Sequence, residues 1–174
     1  MAILKVARLG HPVLRRKATP IPADQIASRE VQQLIDDMFE TMHEYGGIGL
    51  AAPQVHQGLR VFVAGISNVE LISPMTDETD MPIVTVINPE VVPVTKEIAT
   101  DWEGCLSIPD MRGQVPRPDA VRLRAFDRHG RKFSHALKRS RGFMPMARSG
   151  VPRLWKKPAT QRLRWVMPWA KVEG

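Results

Sequence analysis

Only one stretch of this chain repeats its apolar side chains at a helical period for several turns. Val31, Leu34, Ile35, Met38, Phe39 and Met42 stand at i, i+3, i+4, i+7, i+8 and i+11, which lays them on one face of an α-helix. Ser28 is placed to cap its start and Gly46-Gly47 to end it. A chain of 174 residues is long enough to bury a real core as one domain, so strands must complete what one helix cannot. Short β-rich runs do follow, at 59–66, 83–87, 91–95 and 121–126, bounded by turn residues such as Asn88-Pro89 and Arg128-His129-Gly130. In the last run Val121, Leu123 and Ala125 alternate with Arg122, Arg124 and Phe126, the pattern of a strand with one wet face. Before the helix, Gly10-His11-Pro12 and Thr19-Pro20-Ile21-Pro22 discourage helix and make residues 3–24 an extended arm. The pattern predicts an α+β fold, an N-terminal helix with short antiparallel strands.

Composition enters where it excludes classes. Hydrophobic residues at 43% and charged residues at 25% fit a globular chain rather than a disordered one. No run of about 18 apolar residues exists to span a membrane. The N-terminus lacks the apolar core and cleavage site of a secretory signal, and with a single thiol this points to the cytoplasm. The net charge of +7 is unevenly spread. Residues 1–137 carry 15 Lys+Arg against 17 Asp+Glu, whereas 138–174 carry 10 Lys+Arg against Glu173 alone. Trp155, Trp165 and Trp169 also fall in that tail, and Pro145, Pro152, Pro158 and Pro168 interrupt any long helix there. The expected organisation is therefore a body over 1–137 and an atypical basic tail over 138–174 that does not read as packing on the preceding sheet. Asp77, Glu78 and Asp80 mark an acidic loop between the first two strands.

Two short stretches carry the chemistry. Glu103-Gly104-Cys105-Leu106-Ser107-Ile108-Pro109 holds the only cysteine, which is a buried filler, a nucleophile or a metal ligand. An acid, a glycine, a hydroxyl and a proline make poor composition for a core strand. Gly47-Ile48-Gly49-Leu50-Ala51-Ala52-Pro53-Gln54 lets backbone approach backbone or a ligand closely. It lacks the Lys-Ser/Thr of a phosphate loop and the third glycine of a dinucleotide fold, and on motif strength alone a tightly packed turn into a strand explains it better. A cysteine hydrolase would need a histidine beside the thiol, which the sequence does not place.

Together the two stretches resemble the first and second signatures of the peptide deformylases, in the right order, after a helix and with strands between. The similarity runs from about residue 4 to about 137 and includes Val115-Pro116-Arg117 and Asp127-Arg128. It implies removal of the formyl group from the N-terminal formyl-methionine of nascent proteins by water on Fe²⁺ or another divalent metal such as Zn²⁺. It further implies Cys105 as a metal ligand, with the Gln54 amide and the Leu106 backbone N–H holding the developing oxyanion. Ile48 and Gly49 would line the groove for the peptide, added as a strand, and Arg112 matches a position near the cleft. The implied partners are formyl-methionyl nascent peptides and the ribosome, with no membrane and a monomeric protein.

The family's third signature, Gln-His-Glu-x-x-His on a helix, is missing. His11, His43, His56, His129 and His135 include no i, i+4 pair, and His43-Glu44 is followed by Gly47 where the second histidine should stand. After Gly142-Phe143 the chain reads Pro145-Met146-Ala147-Arg148-Ser149-Gly150 instead. One thiolate cannot hold iron or zinc in a three-ligand centre, and the glutamate that moves protons is gone. The expectation is a deformylase homologue, inactive or impaired, whose C-terminal helix is lost or altered by a frameshift near 138–146 or a recombined end. Two alternatives stand beside it: catalysis with His129 or His135 as substitute ligands, and a non-catalytic ribosome- or RNA-binding module acting through the basic tail.

Overall fold

The structure is a computed structural model that describes residues 2–65 and 83–138. The single long helix, α1 (Arg29–Glu44), forms where the apolar period lies. The Ser28 hydroxyl accepts from the Val31 N–H at 3.3 Å, satisfying one of the donors a helix start leaves open. At the other end Gly46 turns left-handed at φ 60°; its N–H donates to the His43 carbonyl and that of Gly47 to Met42. This paired closure is the one glycine makes cheaply at a helix C-terminus. Val31, Ile35, Met38 and Met42 are buried along the inner face.

Seven strands follow in chain order: β1 (Gly49–Ala51), β2 (Val61–Ala64), β3 (Val84–Pro93), β4 (Ile98–Cys105), β5 (Ile108–Pro118), β6 (Ala120–Phe126) and β7 (Lys132–Lys138). Five of them make an antiparallel sheet in the order β1-β2-β3-β6-β7, and β4 and β5 pair separately as a two-stranded ribbon. Alternation sorts the sheet's side chains between two layers. Leu50, Val61, Val63 and Ile87 pack with α1, while Ala51, Phe62, Ala64, Val86, Leu123 and Ala125 gather on the other face. Phe62 is 1% exposed, so truncating it to alanine would cost about 3–5 kcal/mol.

The α+β reading holds, with corrections in detail. The runs 83–87 and 91–95 are not two strands around an Asn88-Pro89 turn; they are one strand, β3, with an irregularity between Ile87 and Glu90. Asn88 sits there at φ 51°. Its Oδ1 accepts from the Ile21 N–H at 2.8 Å and its Nδ2 donates to the Ile21 carbonyl at 2.7 Å. A side chain that mimics a strand partner thus converts an apparent turn into a bulge that pins the arm. The run 59–66 shortens to Val61–Ala64 within the described residues. Residues 3–24 are extended as expected, apart from a 3-10 turn at Pro12–Arg15 and the start of another at Ala23–Gln25. The β4–β5 ribbon and β7 were not anticipated, because their exposed, polar-rich sequences carry little alternation. The acidic loop and the tail from 139 onward, including the expected loss of a C-terminal helix, lie outside the described residues.

Candidate active site

Gln54 and Cys105 stand 51 residues apart and meet: Gln54 Nε2 is 3.6 Å from Cys105 Sγ and 3.4 Å from Ser107 Oγ. Gln54 is the third residue of a short 3-10 turn, Ala52–Val55, whose second residue is Pro53 with its preset φ. From there its Oε1 reaches back to accept from the Ala51 N–H at 2.9 Å, half of a capping box. That bond orients the amide, so the NH₂ end faces the thiol and the hydroxyl. The side chain is 3% exposed. Held this way, Gln54 points its N–H donors at the thiol and the hydroxyl from a largely dry place.

Cys105 closes β4, and Leu106-Ser107 turns the chain into β5. Gly104 faces Arg112 but Cys105 faces Ile108, so Pro109, Asp110 and Met111 bulge from the ribbon, with Asp110 at φ 63°. Such a bulge re-aims the residues beside it. The stretch is the end of β4, a turn and the start of β5 in the two-stranded ribbon, not a strand of the five-stranded sheet. Burial pushes the Cys105 thiol up from its ordinary 9.0, partly offset by hydrogen bonds from the Ser107 backbone and hydroxyl and from the Ile108 backbone, with the Glu103 carboxylate adding to the rise. Among the described residues no histidine is among the hydrogen-bond or charge partners of the thiol, and a cysteine hydrolase needs one beside it.

The two turns are held together by the arm. The Ala7 N–H donates to the Gln54 carbonyl at 2.7 Å, and the Leu9 N–H to the Ser107 carbonyl at 2.9 Å. Between them Arg8 Nη1 donates to the Leu106 carbonyl at 3.3 Å. The Leu106 side chain covers Gly47: a Cβ there would stand 2.8 Å from Leu106 Cδ1 and 3.3 Å from the Met42 carbonyl oxygen. This close approach is what the small residues of the 47–54 stretch permit. Ser107 and residues 7–9 are the parts of the site that sequence reasoning did not single out. Ser107 was legible as the hydroxyl beside the thiol; the arm carried no signal, because Ala7 and Leu9 act through backbone and Arg8 through a single exposed guanidinium.

Ile48 is exposed just before β1, and Gly49 opens that strand opposite Ala64. Since β1 ends the sheet order, both lie at an edge with no strand beyond it among the described residues. Arg112 is exposed on β5 opposite Gly104. Glu103, on the same face of β4 as Cys105, takes both Arg117 Nε and Nη2, at 2.9 and 2.7 Å.

The donor set does not fit a three-ligand metal centre. Among the described residues, no three His, Cys, Asp or Glu side chains come together in a way that could hold a metal ion. His129 lies exposed in the β6–β7 turn and His135 lies exposed on β7 with its ring against Phe133; neither joins Cys105 in such a group. His43 sits exposed in the last turn of α1. His56, two residues past Gln54, is turned outward and stacks edge-on with His11, ring centroids 4.5 Å apart.

A mixed α+β domain in which a Gly-rich turn and a Cys-containing ribbon converge on one amide and one thiol is a recognisable class. The Polypeptide deformylase family model matches residues 3–144, and the chain belongs to that family. It is 41% identical over 128 residues to peptide deformylase 2 of Pseudomonas putida, covering 74% of this chain and 70% of the relative. With the peptide deformylase of Pseudomonas aeruginosa it shares 41% over 133 residues, 76% and 71% of the two chains. Among solved structures, the Met-Ala-Ser-bound class I type b peptide deformylase of Acinetobacter baumannii superposes with a TM-score of 0.70 at 35% identity, covering 79% of this chain and 84% of that one. The Thermotoga maritima peptide deformylase superposes at 0.67 and 30%, covering 79% and 83%. Among the described residues no helix is long and apolar enough to cross a membrane.

Proposed function

We propose that this chain is a peptide deformylase homologue that keeps half of the family's site and is inactive or strongly impaired. The half that remains is the Gln54 amide and the Leu106 N–H as oxyanion donors, with Ile48, Gly49 and Arg112 on the substrate side. Formyl-methionyl nascent peptides are the substrate class, in the cytoplasm; the Acinetobacter relative was solved with the peptide Met-Ala-Ser bound. Cys105 is the one metal donor of this half. One observation carries the reading: Gln54 Nε2 lies 3.6 Å from Cys105 Sγ, while the described residues offer no group of three metal donors. A three-ligand Fe²⁺ or Zn²⁺ site therefore has one of its members, and no step through a metal follows from these residues.

Metal content and hydrolysis of formyl-Met-Ala-Ser by the purified full-length protein test this directly. The expected result is metal well below one equivalent and no turnover above background. Stoichiometric iron or zinc with turnover would overturn it and favour recruited ligands such as His129 or His135. Reading the coding DNA past residue 138 in the other two frames tests the origin of the tail, and a His-Glu-x-x-His there would establish a frameshift. The ribosome- or RNA-binding alternative rests on the tail, and no described residue favours it.

A further inference from the structure

Two histidines meet where the N-terminal arm crosses the turn that carries Gln54. The His11 and His56 rings stand edge to face, their centroids 4.5 Å apart, and both residues are exposed. His56 follows Gln54 by two residues and closes its 3-10 turn in the left-handed region, at φ 66°. His11 opens the arm's own 3-10 turn, Pro12–Arg15, and its Nδ1 accepts from the Val13 N–H at 3.2 Å. The pair thus extends the seam along which the Ala7 and Leu9 N–H groups bond the Gln54 and Ser107 carbonyls.

The contact needs neutral rings. A fully protonated imidazole has no acceptor, so a proton on His11 replaces the cap of Val13 by two opposed donors. A proton on each ring sets two cations against one another. The two segments supply no counter-charge: residues 1–22 hold Lys5, Arg8, Arg15, Arg16 and Lys17 and no acid, and 52–58 hold no titratable side chain but His56. The ribbon turn bonded to Leu9 has Glu103 and Asp110, but neither acts on His56, whereas Lys5 does. Partial burial of the ring, then the charges of His11 and Lys5, hold His56 below its ordinary 6.5. The stabilisation from its neutral form is therefore fully present above 6.5 and is lost as pH falls through the lowered value.

We propose that His11 and His56 form an acid-released latch between the arm and the Gln54 turn. Neutral, they close the seam; a proton on His11 removes the cap, and a second on His56 drives the rings apart. The seam then opens from its exposed end, beside the backbone that supports Gln54. Amide exchange of the full-length protein followed by NMR tests this, each rate being divided by that of an unstructured amide at the same pH. Protection of Leu9 and Val13 should fall about fivefold from pH 7.5 to pH 5, the weight of one lost cap, while that of Val63 and Val86 in the sheet holds. His11→Asn keeps an uncharged acceptor for Val13, and His56→Asn suits the left-handed backbone. The double variant should keep the sheet's protection and show no fall at Leu9 and Val13. In His11→Asn alone, the acid midpoint of the His56 ring signal should rise by about half a unit, because a like charge 4.5 Å away is gone. Protection of Leu9 and Val13 that stays level with pH in the parent, or falls equally in the double variant, overturns the latch. A His56 midpoint unmoved by His11→Asn overturns it too, by showing that the rings stand apart in solution.

Discussion

Replacing Arg117 by methionine tests the ion pair that braces the ribbon carrying the thiol. Arg117 grips both carboxylate oxygens of Glu103, and only 14% of the Arg117 side chain and 8% of the Glu103 side chain are exposed. At an effective dielectric of about 20, opposite charges about 4 Å apart attract by roughly 4 kcal/mol, against which both desolvation costs must be set. The net worth of the pair is therefore modest, but removing one partner is not. Breaking a buried pair strands a desolvated charge and costs about 3–5 kcal/mol; the residual exposure here reduces that to about 2–4 kcal/mol. Set against a total stability of about 5–15 kcal/mol, this shifts the urea midpoint visibly without abolishing folding. The double variant, Glu103→Met with Arg117→Met, should recover most of the loss, because no charge is left stranded. Urea unfolding of the two single variants and the double variant closes the cycle. A loss below about 0.5 kcal/mol for Arg117→Met, or a double variant as unstable as the sum of the singles, would refute the reasoning.

Further expectations follow from other contacts. Folding holds the Cys105 thiol above its ordinary 9.0 by burial, so its contribution is fully present below that value and is lost as pH rises through the raised one. Stability should fall across that alkaline window, and Cys105→Ala should remove this part of the slope in unfolding measured from pH 8 to 11; an unchanged slope would refute it. Glu103→Gln removes a charge that pushes the thiol up, so the pH midpoint of thiol alkylation should move down. Asn88→Gly keeps access to the left-handed backbone but loses both bonds to Ile21, at about 0.5–1.5 kcal/mol each. Asn88→Ala should lose about 1 kcal/mol more for the strained φ of 51°, and equal thermal midpoints for the two would contradict that account. Gln54→Leu leaves the Ala51 N–H without its side-chain acceptor and should cost about 1–3 kcal/mol in denaturant unfolding.

What could be read from the residues in order was whatever depends on near neighbours. The helix over Val31–Met42, its Ser28 cap and its glycine stop all appear where the spacing puts them, since an i, i+3, i+4 pattern is itself the geometry of the face. The wet-faced strand at Val121–Phe126 follows for the same reason. The two signature stretches named the family, and the missing His-Glu-x-x-His was visible as an absence of spacing. Other features depend on partners distant in the chain. Asn88-Pro89 looks like a turn until Ile21 arrives to hold the asparagine as a bulge in β3. The ribbon carrying Cys105 pairs with itself rather than with the core, so its exposed residues show no hydrophobic alternation to read. The environment of the thiol is likewise tertiary. Gln54 reaches Cys105 and Ser107 across more than 50 residues, with Ala7 and Leu9 tying the two turns by backbone bonds that leave no mark on side-chain identity. Motif chemistry is carried by residue type and so survives in sequence; the register of distant backbones is not, and it takes the folded chain to set it.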